Sequence, residues 1–413
     1  MSKQGCQSSF ATSEMKKEFA LKLFEAFSIE RWNDLARPFA LSEMDKQAER
    51  TLCAYIIGKY QEVRGDAIEW TRIIYASLFD LLLKISLCDI KSPVRRLIKE
   101  EHPVEWQKLC QWVFDGYKDL IDDKELLAMF HSYLASDDGW ESSTTGRVFR
   151  SAHKYATYRE LEMISLVNEK QRLSSIREQL KGELEGFCDL EGLRLLMEGQ
   201  KPFQLLLKIE QLRFQTRWNQ TPRVPKTSVL GHSFFVAVLT LLLCRQAGVA
   251  MGEGRLYCDF FCALFHDLPE SVTRDIISPV KRATRGMPAI VKEIENKIVA
   301  KELLPYMEDF YKDEVLYFTQ NEFENRCVVD GQVRIVSFQE LNEHFASDEF
   351  CPTDGKLVRV ADHYSALLEA SLSIAHGITS DHLEAGKANL MAAYPEGCII
   401  NGVDSGKLFA AFR

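Results

Sequence analysis

Apolar residues recur at helical spacing along almost the whole chain, and this pattern limits the fold more than any other feature. One stripe of this kind consists of Leu357, Val360, Ala361, Tyr364 and Leu368. Such a stripe is typical of an amphipathic helix that packs against a core. Sustained alternation of apolar and polar residues, which would indicate strands, does not occur. We therefore predict an all-α fold.

Two imidazoles and two carboxylates are set within this apolar helical sequence: His232, His266, Asp267 and Asp362. Buried charge is costly unless it is paired or bound to a metal. Ligands drawn from three helices suit a metal site in the core of a bundle. A mixed set of nitrogen and oxygen ligands with open positions favours Mn²⁺, Fe²⁺, Co²⁺, Ni²⁺ or Zn²⁺ over Ca²⁺, and Mg²⁺ stays an alternative. We predict one divalent ion of unspecified identity.

Three segments occur twice in the same order, which indicates an ancient internal duplication. Their two copies are Arg31-Trp32-Asn33 and Arg217-Trp218-Asn219, residues 89–96 (DIKSPVRR) and 275–282 (DIISPVKR), and residues 149–155 (FRSAHKY) and 358–364 (VRVADHY). Each match is short, but none lies in low-complexity sequence. Chance is a poor explanation for their shared order.

The repeat also aligns the candidate ligands with residues of the first half. Asp45 stands in the place of His232, Phe79-Asp80 in that of His266-Asp267, and His153 in that of Asp362. The first half therefore lacks imidazoles at the ligand positions, and Phe79 offers no lone pair. We predict two tandem helical domains, residues 1–199 and 200–413. The first is a degenerate, metal-free copy that packs against or regulates the second.

Composition sets broad limits on partners and compartment. A net charge of −9 and a pI near 5.6 argue against a protein that coats a nucleic-acid polymer. Eleven scattered cysteines without a C-x-x-C pair fit a reducing compartment. The N-terminus lacks the apolar core of a signal peptide, and the longest apolar run, residues 234–244, is too short to span a bilayer. We expect a cytoplasmic protein without a membrane partner.

The motifs of the second half together resemble the HD-domain metal phosphohydrolases, in particular the branch of the YfbR-like 5′-deoxynucleotidases. The resemblance covers roughly residues 217–376. It is carried by Arg217-Trp218, Gly231-His232-Ser233, residues 266–275 (HDLPESVTRD), Ser278-Pro279-Val280-Lys281 and Ala361-Asp362. An isolated His-Asp pair would be weak evidence, whereas the ordered set is specific.

The resemblance implies a role for each of these residues. His232, His266, Asp267 and Asp362 would be the metal ligands. Glu270 and Asp275 would be catalytic and would handle the proton and orientation of the attacking water. Arg217 would hold the substrate phosphate, Trp218 would shape the sugar pocket, and Lys281 is a possible second phosphate contact.

Some of these residues have a structural alternative. Glu270 can be a solvated carboxylate, and Asp275 can be a helix cap, because Asp89 survives in the copy without ligands. The recurrence of Arg217-Trp218 in the first half also suggests packing or an ion pair. Two residues depart from the family pattern: Pro269 replaces a small residue, and Arg274 replaces a glycine.

The functional prediction is a metal-dependent phosphohydrolase that acts on a small phosphorylated substrate. Its leading form cleaves (deoxy)nucleoside 5′-monophosphates through a metal-activated water. One alternative is a hydrolase of nucleoside di- or triphosphates. Another is a nucleotide-sensing regulatory protein with little turnover. A homodimer is possible, and a nucleic-acid polymer is not an expected partner.

Overall fold

The computed structural model describes residues 14–135, 139–249, 251–274 and 284–413, and this part of the chain is mainly helical. The predicted all-α class is confirmed. The helices of the first half are α1 (Lys17–Phe24), α2 (Glu43–Val63), α3 (Trp70–Leu87), α4 (Ser92–Glu101), α5 (Pro103–Asp115), α6 (Lys124–Ala135), α7 (Thr144–Ile164), α8 (Lys170–Glu185) and α9 (Glu191–Met197).

The second half contains further helices and a few short strands. Its helices are α10 (Lys201–Phe214), α11 (Val229–Gln246), α12 (Glu253–Phe265), α13 (Glu270–Thr273), α14 (Met287–Glu302), α15 (Asp309–Thr319), α16 (Phe338–Glu343), α17 (Gly355–Ala375), α18 (Asp381–Ala393) and α19 (Ser405–Ala410). Its strands are β1 (Asn325–Val329), β2 (Gln332–Ile335), β3 (Thr353–Asp354), β4 (Ile399–Ile400) and β5 (Val403–Asp404).

The helices α2 and α11 begin in the same way. Ser42 caps α2 by accepting a hydrogen bond from the backbone N–H of Asp45, and Ser228 caps α11 by accepting one from Gly231. A serine in this position satisfies a backbone donor that the helix leaves unpaired. Both cap serines also form an isolated antiparallel β-bridge with the segment that precedes them.

A second local feature recurs in the two halves. Trp32 and Trp218 both adopt a positive φ, of 56° and 54°, within the two Arg-Trp-Asn segments. Positive φ is uncommon for residues other than glycine, so its recurrence at matched tryptophans is informative. These paired features support the internal duplication, which remains our interpretation.

The helix α11 lies at the centre of the second half. It is buried from Val229 to Cys244 and packs against α12, α17, α10 and α2. In the described part of the chain it is the one helix long and apolar enough to cross a membrane, but 89% of that stretch is buried inside the protein. A helix that is apolar on all sides and buried is also typical of a protein core.

The apolar core is continuous between the two halves. Phe235 of α11 lies edge-on to Phe24 and Phe27, with ring centroids 5.5 and 5.8 Å apart, and Tyr55 of α2 contacts Phe261 of α12 at 5.0 Å. Between α9 and α10 the chain turns at Gly199, whose φ is +72°. The division at residues 199 and 200 therefore stays a prediction, because one core spans it.

The short strands were not predicted. β1 and β2 form a hairpin in which Val329 pairs with Gln332, so that the two-residue turn consists of Asp330 and Gly331. Both turn residues have positive φ, 52° and 73°. An Asp-Gly pair is a preferred sequence for such a turn, so residues 330–331 were the sequence signal from which this hairpin could have been predicted.

Candidate metal centre

The structure brings the four predicted ligands together from three helices. His232 lies in the first turn of α11, His266 and Asp267 directly follow α12, and Asp362 lies in α17. His232 Nε2 is 3.1 Å from Asp362 Oδ1 and 3.7 Å from Asp267 Oδ2. His266 Nε2 is 3.3 Å from Asp267 Oδ2. The four side chains therefore form one cluster of neighbouring donor atoms.

Hydrogen bonds to the other ring nitrogen orient both imidazoles. His266 Nδ1 lies 2.7 Å from the carbonyl oxygen of Ala263, which can only accept, so this nitrogen carries the proton. His232 Nδ1 lies 3.1 Å from the hydroxyl of Ser365. A hydrogen bond at Nδ1 commonly fixes the tautomer of a metal-ligating histidine and leaves the Nε2 lone pair for the ion.

Both Nε2 atoms are buried, and neither makes a hydrogen bond of acceptable geometry with a described residue. Donor atoms of His232, His266 and Asp362 all lie within 4.8 Å of one another. A metal–ligand distance of about 2.1 Å would place neighbouring ligand atoms roughly 3 Å apart and opposite ones roughly 4.2 Å apart. The distances and the buried, unpaired nitrogens thus fit a divalent ion.

The electrostatic setting also favours a cation. Although burial alone would lower it, the pKa of His266 is raised to about 9, because Asp267 and Asp362 stabilise the protonated ring. Although burial alone would raise it, the pKa of Asp267 is lowered to about 2 by His266, His232 and Arg217. The pKa of His232 is lowered by burial and by Arg217. Two ionised carboxylates therefore create a strongly negative potential at this point.

The predicted phosphate-binding residue, Arg217, lies beside the ligands and is held by a residue that sequence reasoning missed. Its Nε is 3.2 Å from Oε2 of Glu369, a fully buried carboxylate of α17. Its Nη1 and Nη2 atoms lie 3.9 Å from Asp267 Oδ2 and 3.8 Å from Asp362 Oδ1. Glu369 thus holds the Nε side of the Arg217 guanidinium, while the two Nη atoms of Arg217 face the carboxylates of the metal centre.

Trp218 has a structural role in the folded protein. Its Nε1 donates a hydrogen bond of 2.8 Å to Glu369 Oε2, and its ring lies so close to Gly386 that a Cβ there would be 2.5 Å from a ring carbon. Only a residue without a side chain fits at this contact. The predicted role of Trp218 in a sugar pocket stays a prediction.

Glu270 begins α13, three residues after Asp267. The chain turns over residues 266–269, and the backbone N–H of Glu270 donates to the carbonyl of Asp267 at 3.0 Å. Glu270 also lines a small cavity of about 90 Å³. Its charge acts on Arg217, which lies beside the candidate centre, and a catalytic role stays a prediction. Asp275 and Lys281 lie outside the described residues.

Both departures from the family pattern are visible in the backbone. Pro269 precedes α13 and separates it from α12, as expected of a residue that interrupts a helix. Arg274 has φ 62° and ψ 161°, a conformation that is essentially restricted to glycine. A glycine at this position in relatives would adopt the same backbone without strain.

The aligned positions of the first half form no comparable set of ligands among the described residues. Asp80 pairs with Arg50. Asp45 instead accepts a hydrogen bond from Ser228, the cap of α11. Phe79 packs against Tyr75, with ring centroids 5.9 Å apart. The degenerate, metal-free copy stays a prediction.

A second buried group of potential ligands is already paired internally. Cys244, Asp259 and Asp354 lie close together, but Arg255 donates to both oxygens of Asp354 at 2.7 and 2.9 Å. Asp259 accepts hydrogen bonds from the Asp354 backbone and from the Cys244 thiol. Burial and the neighbouring Asp354 raise the pKa of Asp259, and Arg255 neutralises Asp354, so this network leaves little charge for a cation to balance.

Comparison with known proteins agrees with the site geometry. The model of the HD-domain family matches residues 209–391, which include all four predicted ligands. A dATP triphosphohydrolase of Salmonella phage PMBT28 is 36% identical over 89 residues, and one of Acinetobacter phage SH-Ab 15497 is 41% identical over 93 residues.

Each of these alignments covers 20% of this chain and 45% of the relative. The chain thus spans less than half the length of the curated relatives it matches. These findings support the resemblance to the HD-domain phosphohydrolases, whereas the YfbR-like branch stays a prediction. Residues 209–391 of this chain are similar to an HD domain.

Proposed function

We propose that this chain is a metal-dependent nucleotide phosphohydrolase whose reaction takes place at the centre formed by His232, His266, Asp267 and Asp362. One observation carries the proposal. Two buried imidazole nitrogens without hydrogen-bond partners face the same point as two ionised carboxylates. Such an arrangement is costly unless a cation completes it.

A divalent ion held there would polarise a phosphoryl group and lower the pKa of water. The protein supplies the other functions. Arg217 is always charged and has two nitrogens on the side of the ligands, so its planar fork can receive phosphate oxygens next to the ion. Because Glu369 holds Nε, the fork is oriented before the substrate arrives.

Glu270 is our candidate for the proton acceptor. It follows the ligand pair by one turn of the chain, and its charge acts on Arg217. A carboxylate next to the metal ligands can accept a proton from the attacking water. The roles of Asp275 and Lys281 as second catalytic and phosphate-binding residues remain proposals from the sequence.

The substrate class we favour is a deoxynucleoside triphosphate. Two relatives are named dATP triphosphohydrolases, and their sequences are 36% and 41% identical to this chain over the aligned residues. A deoxynucleoside monophosphate, the leading prediction from the sequence, contains the same ester bond between the 5′-oxygen and the first phosphorus. One centre can therefore attack either substrate, and the length of the phosphate chain is decided by contacts beyond it.

A product analysis tests this proposal. The purified protein is incubated with dATP or dAMP and Mn²⁺, Co²⁺, Zn²⁺ or Mg²⁺, and the products are identified by chromatography. We expect deoxyadenosine with tripolyphosphate from dATP. If dAMP releases orthophosphate and dATP gives no product, the result would instead support a hydrolase of deoxynucleoside monophosphates.

Two variants complete the experiment. His266→Ala removes a ligand and should abolish product formation, whereas His131→Ala removes an exposed imidazole of the first half and should not. Product formation that persists in His266→Ala would contradict the proposal. Tight nucleotide binding without any product in the wild type would favour a sensing protein.

A further inference from the structure

The first half contains a cavity of about 1540 Å³, at the place that corresponds to the metal centre of the second half. Phe79, Asp80 and His153, which align with three of the ligands, line it. Pockets that hold small molecules commonly measure about 300–1,000 Å³. The degenerate copy has therefore kept more than enough space for a ligand of nucleotide size.

Lys84 lines this cavity and is only 4% exposed, yet it has no partner in the described part of the chain. No carboxylate oxygen of a described residue lies within 4 Å of its ammonium nitrogen, and no hydrogen bond from it is formed within the described chain. Of the carboxylates that act on it electrostatically, Glu43 and Asp80 are each bound by an arginine, whereas Asp89 acts on it from more than 4 Å away. A buried, unpartnered ammonium group is rare and points to an anionic ligand.

Further positive charge lies near Lys84. Arg95, on α4, lines the cavity, is partly buried and has no ion pair with a described residue. The pKa of His153 is lowered well below its usual range, first by burial and then by Lys46, Lys84, Arg50 and Arg95. Asp80 and Asp89 contribute carboxylates to the same wall, but Arg31, Arg50, Lys84 and Arg95 also line it, so the part of the cavity around His153 is positive on balance.

Aromatic side chains form another part of the wall. Tyr75, Phe79, Trp106, Tyr133, Trp140 and Phe149 line the cavity. The ring centroids of Phe79 and Tyr133 are 5.6 Å apart, so these rings form a connected surface. Aromatic faces bind nucleobases by stacking, largely independently of the base. Cations and aromatic rings in one cavity match a ligand with phosphate groups and a flat ring.

We propose that the cavity of the first half is a second, non-catalytic site that binds a nucleoside phosphate, with the phosphates at Lys84 and Arg95 and the base among the aromatic side chains. Lys84 lies four residues after Asp80, whereas Glu270 lies three residues after the aligned Asp267. In the degenerate copy, Lys84 therefore lies close to the position that corresponds to Glu270, the proposed proton acceptor of the second half. Because this site needs no metal, the proposal does not depend on turnover in the second half.

Nucleotide binding to the full-length protein tests this inference. Equilibrium dialysis with dATP is carried out in the presence of EDTA, which removes divalent ions. The variants are Lys84→Met, which keeps an unbranched side chain of similar length without the charge, and Arg95→Ala, at a partly exposed position. Lys118→Met, an exposed lysine paired with Asp115, is the matched control.

We expect binding to the wild type and to the Lys118→Met control, and at least tenfold weaker binding in Lys84→Met and Arg95→Ala. The melting temperature of Lys84→Met should be equal to or above that of the wild type, because a methionine avoids burying a charge. A purely structural lysine would instead lower it. Equal dATP affinity in wild type, Lys84→Met and Arg95→Ala, or no binding in EDTA, would overturn the proposal.

Two further arms identify the site and the ligand. His266→Ala, which disrupts the metal centre, should retain binding in EDTA, and its loss there would assign the binding to the second half. Tripolyphosphate should bind at least tenfold more weakly than dATP, and equal affinity would overturn the assignment of a nucleoside. Failure of the proposed hydrolase would instead appear as an absence of products with metal present, so the two failures are distinguishable.

Discussion

Replacement of Glu369 by glutamine should destabilise the protein and impair the metal centre together. The buried carboxylate accepts hydrogen bonds from Arg217 and Trp218, and lies 3.7 Å from Arg223 Nη1. The amide would leave two guanidinium groups short of a counter-charge. Breaking a buried ion pair from one side costs about 3–5 kcal/mol.

The structure places the cost near the lower end of this range. Arg217 keeps two other carboxylates, at 3.8 and 3.9 Å, so its charge stays partly balanced. Burial alone would raise the pKa of Glu369, but the opposite effect of Arg217 and Arg223 is larger, and the pKa falls from 4.5 to about 2. At about 1.4 kcal/mol per pKa unit, this corresponds to about 3 kcal/mol.

The same pKa gives a pH dependence with a definite sign. Because the folded-state pKa lies below the unfolded value, the stabilisation is present above pH 4.5 and is lost as the pH falls towards 2. Urea unfolding from pH 7 to pH 2.5 should show this loss in the wild type. In Glu369→Gln, stability should be about 3 kcal/mol lower at pH 7, and the difference should shrink as the pH falls.

Glu160→Gln is a matched control from the first half. Glu160 accepts hydrogen bonds from Arg31 and Trp32, both at 2.9 Å, in the same arrangement. We expect a similar loss of stability with unchanged turnover per folded molecule, whereas Glu369→Gln should lose at least tenfold in turnover, because Arg217 loses its orientation. A stability change below about 0.5 kcal/mol in Glu369→Gln, the usual range for surface substitutions, would refute this reasoning.

Three further substitutions have defined outcomes. Asp80→Asn leaves the charge of the buried Arg50 uncompensated and should lower the free energy of unfolding in urea by about 3–5 kcal/mol. The metal content should not change, and a loss of metal would mean that the first half contributes ligands. Ser228→Ala removes the cap of α11 and should cost about 1–2 kcal/mol in the same assay, and an unchanged value would contradict the capping role. Arg274→Gly relieves a backbone conformation that costs about 1–3 kcal/mol. The flexibility of glycine in the unfolded chain offsets about 0.5–1 kcal/mol of this gain. Thermal unfolding should therefore show that the free energy of unfolding rises by about 1 kcal/mol, and a decrease would contradict the reasoning.

The helical class could be predicted from the sequence because the apolar spacing of α11, α12 and α17 encodes their burial directly. The candidate ligands could also be identified, since two histidines and two aspartates in apolar sequence have few alternatives to a metal. Their convergence depends on how three helices pack. The structure places His232, His266 and Asp362 within reach of one ion, with Asp267 Oδ2 3.3 Å from His266 Nε2. The linear sequence contains the donors but not their distances.

Glu369 and Ser365 were missed, although a signal for them exists. They lie seven and three residues after Asp362, so all three share one face of α17. Glu160 likewise lies seven residues after His153 in α7. Their partners, Arg217 and His232, come from segments more than 130 residues away, and only the folded structure shows those contacts.

The cavity of the first half was not foreseen either. Sequence alignment showed that Phe79 and Asp80 replace a ligand pair, but it did not show what fills the place of the ion. In the structure Arg50 binds Asp80, while Lys84, beside them, pairs with no described residue. Arg50 reaches this position from α2, a helix that carries no aligned ligand other than Asp45.

Metal content per chain is the most direct test of the proposed centre. The protein is loaded with Mn²⁺ or Zn²⁺, dialysed, and measured by inductively coupled plasma mass spectrometry together with His232→Ala, His266→Ala, Asp267→Ala and Asp362→Ala. We predict one ion per wild-type chain and a large loss of bound metal in each of the four variants, all of which should remain folded by circular dichroism. A wild-type chain that binds no ion, or folded variants that all retain a full equivalent, would show that these four side chains do not form a metal site.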